Sequence, residues 1–196
     1  IGGAGKTPTA RAIIALVQEH GHFTTPCFLM RGYGGHLANV TEVDRNVHTT
    51  WDVGDEALMQ AQYAPVIVSK DRYEGALFAK NRGYDLIIMD DGFQNPQLIK
   101  DISFIVVDGG FGFGNGKVFP SGPLRESVES GLKRAKASIV INRRGGTDLS
   151  ALSKKRVFDA KIILHNERKT TDNKNIVAFS GIARPEKFFN TLEDNG

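Results

Sequence analysis

The chain has 196 residues, 40% of them hydrophobic and 24% charged, which is enough apolar content for a packed globular core. Its 25 Lys and Arg against 22 Asp and Glu leave a net charge of +3, which suits an anionic ligand but is too mild to imply nucleic acid as a partner. The single cysteine, Cys27, excludes an intramolecular disulfide and points to a reducing compartment, and no stretch approaches the roughly 18 apolar residues of a membrane span.

In chain order, a glycine-rich turn at 1–7 leads into a helix over 9–20, with Ile13, Leu16 and Val17 on one side and Gly21 as its stop. An apolar strand follows at 26–30, then a helix at 56–62, a strand at 66–69 and a helix at 73–81. Strands are predicted at 85–89 and 102–108, a helix at 124–135, and strands at 138–142, 161–165 and 176–180, before a last helix at 185–193. Several strands are apolar on both faces, as buried parallel strands are. The order predicts an α/β fold, a mainly parallel sheet flanked by helices, with ligands gathering at the carboxyl ends of the strands. RRGGTDLS at 143–150 is the expected linker, separating a core over 1–145 from a smaller C-terminal α/β portion that begins at 146.

Five segments carry chemistry. In GGAGKT, Gly2, Gly3 and Gly5 precede Lys6 and Thr7 at the start of a helix, as in a P-loop NTPase-like phosphate loop. There backbone N–H groups cradle phosphates, the lysine reaches the β and γ groups, and the hydroxyl holds a metal ion. DLIIMDDGFQN at 85–95 ends an apolar strand in Asp90 and Asp91, where a nucleotide enzyme needs acids to hold Mg²⁺. WDVGDEALMQA at 51–61 sets Asp55 and Glu56 behind Gly54; the pair reads first as helix capping, and in the sharper alternative one of them orients a substrate hydroxyl. RGYGG at 31–35 and GNGKVFPSGPLRE at 114–126 both leave predicted strand ends, and each reads either as a tight turn or as a ligand loop. The five histidines show no metal-ligand spacing, and the basic clusters Lys133-Arg134-Lys136 and Lys154-Lys155-Arg156 read as solvated faces, with an anionic membrane surface as the lesser alternative.

Taken in order, GGAGKTP, RGYGG, VGDE, DDGFQ and GNGKVFPSGPLRE resemble the tetraacyldisaccharide 4'-kinase (lipid A 4'-kinase) family, and FSGIARPEKFFNTLEDNG at 179–196 resembles it as well. The resemblance implies ATP and Mg²⁺ as cofactors and phosphorylation of the 4'-hydroxyl of a tetraacylated disaccharide 1-phosphate, a lipid A disaccharide precursor. It also implies the cytoplasmic face of the bacterial inner membrane, reached through an N-terminal segment ahead of Ile1, and no nucleic-acid partner. Carried over residue by residue, Gly2, Gly3, Gly5, Lys6 and Thr7 bind the nucleotide, and Thr7, Glu56, Asp90 and Asp91 lie at the metal. Asp55 is the expected catalytic carboxylate, supported by Lys6 and Arg125. It is expected to act with a histidine beyond Gly196. Arg31, Tyr33, Gln94 and Arg125 are the expected substrate contacts. Two positions depart from the family pattern: Ala57 stands where a proline is usual, and Asn95 where a histidine is usual. The competing readings are another P-loop NTPase of GTPase or metallochaperone type, which lacks support from any N-K-x-D motif, and a non-catalytic nucleotide-binding relative.

Overall fold

The computed structural model describes residues 3–163, 177–180 and 185–193. It divides into two compact units, one formed by Lys6–Ser103 and the other by Ile1–Gly5 with Phe104–Gly196.

The first unit is built on a four-stranded sheet. Its strands are β1 (Pro26–Met30), β2 (Thr41–Glu42), β3 (Val66–Val68) and β4 (Leu86–Ile88), in the order β2-β3-β1-β4. β1 pairs in parallel with both β3 and β4, and only the short β2 runs antiparallel. The helices are α1 (Lys6–His20), α2 (Thr50–Val53), α3 (Asp55–Gln60) and α4 (Arg72–Asn81). Alternation along β1 and β3 makes two separate cores. Phe28, Met30, Val66 and Val68 pack with Ala10 and Ile14 of α1, with Val53 of α2 and with Ala57 of α3. Cys27, Leu29 and Ile67 face the other way, against Ala79 of α4. The sheet is therefore covered on both faces, which is why its central strand reads as a continuous apolar run.

The second unit carries an all-parallel sheet of β5 (Phe104–Asp108), β6 (Ala137–Ile141) and β7 (Arg156–Ala160) in that order. α5 (Val128–Arg134) and a short 3-10 helix (Ser150–Leu152) cover it, with Leu132 and Leu152 meeting Val107 and Val140. α6 (Pro185–Glu193) lies near the end of the chain, within the expected bounds.

The α/β fold of mainly parallel strands follows the sequence reading, and so does β1, while β3 and β4 lie within the expected bounds and end one residue earlier. Elsewhere the elements differ. Residues 161–163 and 177–180 lie outside any strand, and the rest of the two late strands expected there falls outside the described residues. The strand beside β6 is instead β7, five residues earlier, and it was missed because an exposed edge strand with Arg156 and Asp159 has no apolar run. Residues 143–150, expected as a linker, join two paired strands of one sheet. The helix predicted at 124–135 starts only at Val128, because Ser127 caps it by accepting a hydrogen bond from the Ser130 N–H.

Candidate active site

The start of α1 is set by glycine geometry. Gly3 and Gly5 both take positive φ, 80° and 94°, which turns the chain sharply before Lys6 opens the helix. Lys6 and Thr7 thus occupy the first turn of a 15-residue helix, where unpaired backbone N–H groups and the helix dipole favour an anion. Gly2 lies outside the described residues.

The parallel strands of the first sheet place three segments at one edge: Arg31 after β1, Ser69–Lys70–Asp71–Arg72 after β3, and Asp90–Asp91 after β4. Asp91 adopts φ 57°, a left-handed conformation uncommon outside glycine, and its Oδ1 lies 3.6 Å from the Lys6 Nζ. Asp90 accepts a hydrogen bond on Oδ2 from the Gln60 Nε2 at 3.3 Å.

The Gly-Asp-Glu segment joins this group through close backbone packing. Gly54 has φ 88°, and a Cβ there would fall 2.3 Å from the Tyr33 carbonyl oxygen. A Cβ on Gly35 would fall 2.7 Å from the Asp52 carbonyl oxygen. Only glycines let the RGYGG loop lie against the 52–54 backbone. Tyr33 is thereby held beside the start of α3, and the residue is 84% exposed. Asp55 and Glu56 open α3, and the Glu56 N–H donates to Asp55 Oδ1 at 2.8 Å. Partial burial and the carboxylates of Asp90, Asp55 and Asp91 push the Glu56 carboxyl above its ordinary value, with Lys6 opposing them. Lys6, Asp55, Glu56, Asp90 and Asp91 therefore share one electrostatic neighbourhood.

Sequence reasoning missed Arg72. It is 8% exposed, donates from Nη1 to the Ser69 carbonyl, and its buried Nε makes no hydrogen bond among the described residues. Burial and the Arg31 charge lower its pKa, while Asp91 works the other way. The signal was available, because Arg72 follows a strand end just as Arg31 does. Asn95, one of the two positions noted above as departing from the expected pattern, is tied into a turn: its Oδ1 accepts from the Gln97 N–H at 3.0 Å and its Nδ2 donates to Gln97 Oε1 at 3.2 Å. Gln97 Oε1 in turn accepts the Arg72 N–H, so the neutral amide secures the start of α4. Gln94 lies exposed in the same loop. Ala57 is buried in the core facing α1. Arg125 belongs to the second unit, exposed and two residues ahead of the Ser127 cap.

The family model for tetraacyldisaccharide-1-P 4'-kinases matches residues 1–196. The chain belongs to this family. Among similar proteins, the tetraacyldisaccharide 4'-kinase of Bradyrhizobium diazoefficiens is 45% identical over 201 residues, covering 100% of this chain and 59% of the relative. That of Rhodospirillum rubrum is 45% identical over 200 residues, covering 97% of this chain and 59% of the relative. The chain thus spans about three fifths of the length of these relatives. The crystal structure of LpxK from Aquifex aeolicus in complex with ATP matches with a TM-score of 0.69 at 25% identity, over 81% of this chain and 50% of that one. Family membership agrees with the motifs that carried the resemblance, and the family's P-loop kinase fold agrees with the parallel sheets.

Among the described residues no helix is long and apolar enough to cross a membrane, and no group of three or more His, Cys, Asp and Glu is arranged to hold a metal ion unaided. Thr7, Glu56, Asp90 and Asp91 nonetheless offer only hard oxygen donors. That set fits Mg²⁺, which keeps its waters and is shared between one or two carboxylates and substrate phosphates.

Proposed function

We propose that this chain carries the ATP site and the catalytic carboxylate of a kinase that transfers the γ-phosphoryl of ATP to the 4'-hydroxyl of a tetraacyldisaccharide 1-phosphate. The observation that carries this reading is the 3.6 Å approach of the Lys6 Nζ to Asp91 at the start of α1, beside Asp55 and Glu56. Family membership and the relative crystallised with ATP support the nucleotide.

Phosphoryl transfer asks the protein mainly for positioning and for charge to offset the phosphates. Gly3 and Gly5 turn the backbone so that the N–H groups of the first turn of α1 receive the phosphates, and Lys6 holds the β and γ groups. Asp91, paired with Lys6, keeps that ammonium at the mouth of the site before nucleotide arrives. Thr7, Asp90, Asp91 and Glu56 would hold Mg²⁺, which when bound offsets charge on the phosphates. Asp55 orients the sugar hydroxyl, its carboxylate held at the start of α3 by the Glu56 N–H, which donates to Oδ1. Arg31, Tyr33 and Gln94 meet the substrate head group, and Arg125 supplies charge to the transferring phosphoryl group. The reaction takes place at the cytoplasmic face of the inner membrane, where the acylated substrate resides.

The test is conversion of the disaccharide 1-phosphate to the bisphosphate by the whole protein with ATP and Mg²⁺. Lys6→Ala and Asp55→Asn are expected to lower kcat by about 100-fold or more while the fold melts as before. Turnover that survives both substitutions, or GTP serving as well as ATP, would rule the reading out.

A further inference from the structure

Beneath the acidic residues lies a polar chain that the reaction as described does not use. Gln60 is fully buried, 0% exposed, at the end of α3. Its Oε1 accepts a hydrogen bond from Arg11 Nε at 2.7 Å, and its Nε2 donates to Asp90 Oδ2 at 3.3 Å. The Arg11 guanidinium in turn lies over the Tyr63 ring, 4.2 Å from its centroid. Its buried Nη2 makes no hydrogen bond among the described residues.

We propose that Arg11 and Gln60 are positioning residues that orient the Asp90 carboxylate for the metal ion, a role that rests on reading Asp90 as a magnesium ligand.

Three features carry the proposal. First, arginine can only donate, so its bond fixes the Gln60 carbonyl toward α1 and turns the NH₂ toward Asp90; the amide cannot flip without losing both partners. Asp90 Oδ2 is then held by a fixed donor, which sets the orientation in which the carboxylate would be offered to a metal ion. Second, the placement follows helical spacing. Arg11 is four residues after Thr7 on α1, and Gln60 is four after Glu56 on α3, so each lies one turn beneath a residue of the metal set, on the same face. The chain of bonds therefore fastens the helix bearing Lys6 and Thr7, the helix bearing Asp55 and Glu56, and the end of β4 into one frame. Third, the charge suits the place. A carboxylate in Gln60's position would set a second negative group within hydrogen-bond distance of Asp90. A neutral amide aligned between a cation and an anion passes the arginine's polarisation to Asp90 without adding charge.

The experiment measures Mn²⁺ binding to the whole protein by EPR in the presence of saturating ADP, alongside metal-free ADP binding and thermal melting. Gln60→Leu and Arg11→Met are each expected to weaken Mn²⁺ binding about tenfold, the range for groups that support metal ligands. Metal-free ADP binding should be unchanged. The double variant should bind no worse than the weaker single one, because both break the same chain. Arg11→Lys, which keeps a donor, should recover part of the loss. If Gln60→Leu does not fold, the two Arg11 variants carry the comparison. Asp90→Asn separates the positioning role from the metal reading beneath it. If it loses Mn²⁺ while Gln60→Leu and Arg11→Met bind as the parent does, the positioning role is overturned and the metal reading stands. If Asp90→Asn itself binds Mn²⁺ normally, the metal reading falls and the proposal falls with it.

Discussion

The proposed metal acids Asp90 and Asp91 stand out in the sequence because two carboxylates at the end of an apolar strand, downstream of a Gly-Lys-Thr turn, match the pattern of a nucleotide site, and the structure sets Asp91 beside Lys6. Gln60 and Arg11 are not. A glutamine or an arginine in a helix reads as solvated surface, and only the folded chain brings residues 49 positions apart into hydrogen-bond contact. Asp85 is another such case, expected only as the first residue of a strand. Its carboxylate accepts hydrogen bonds from the Thr24 N–H at 2.7 Å, from the Thr24 Oγ1 at 3.0 Å and from the Thr25 N–H at 3.0 Å, fastening the turn that feeds β1. Those bonds lower its pKa from the ordinary 3.8, the backbone bond to Thr24 contributing most. A depressed carboxyl contributes stability above the unfolded-state pKa and loses it as pH falls through the lower folded-state value. Asp85→Asn is therefore expected to melt lower than the parent at pH 7. The gap in melting temperature should close as the pH is taken well below 3.8. An equal gap at both extremes would show that the carboxylate's charge is not what holds the turn.

At the scale of elements, the central strands and long helices could be read from periodicity, whereas short or exposed pieces could not. β2 has two residues and α2 four, too few to show a period. Yet α2 is well specified locally, by a capping box in which Asp52 accepts from both the N–H and the hydroxyl of Thr49. This small helix carries the 52–54 backbone against which the RGYGG loop lies. Gly54→Ala would bring a methyl group onto the Tyr33 carbonyl in a conformation that L residues rarely adopt, at a cost of about 2–4 kcal/mol. The expected result is a melting temperature lower by about 4–16 °C. Because the loop and the Asp55 turn must separate to relieve the clash, kcat should fall further than the residual fold predicts. Calorimetry together with turnover measured below the new melting point checks both.

For the molecule as a whole, the fold class followed from the alternation of apolar strands with helices, because a strand covered on both faces has no polar side to disguise it. What the sequence could not yield is the grouping of those elements into two sheets, since strand partners are chosen in space and β7 has no apolar signature. One property of the chain follows from the interior position of Cys27. Its thiol is wholly buried in β1, and burial, with Glu42 and Asp85 nearby, raises its pKa to about 12. The native chain should leave a disulfide reagent such as DTNB unreacted at pH 8 and consume one equivalent only after denaturation. With 1 cysteine in the sequence and that one hidden, the chain has no accessible thiol of its own. Tyr33→Cys would then place a fluorophore on the tip of the RGYGG loop without first removing a native cysteine. The emission of that single label, followed as ATP is added, would report in real time whether the loop stays seated on the 52–54 backbone.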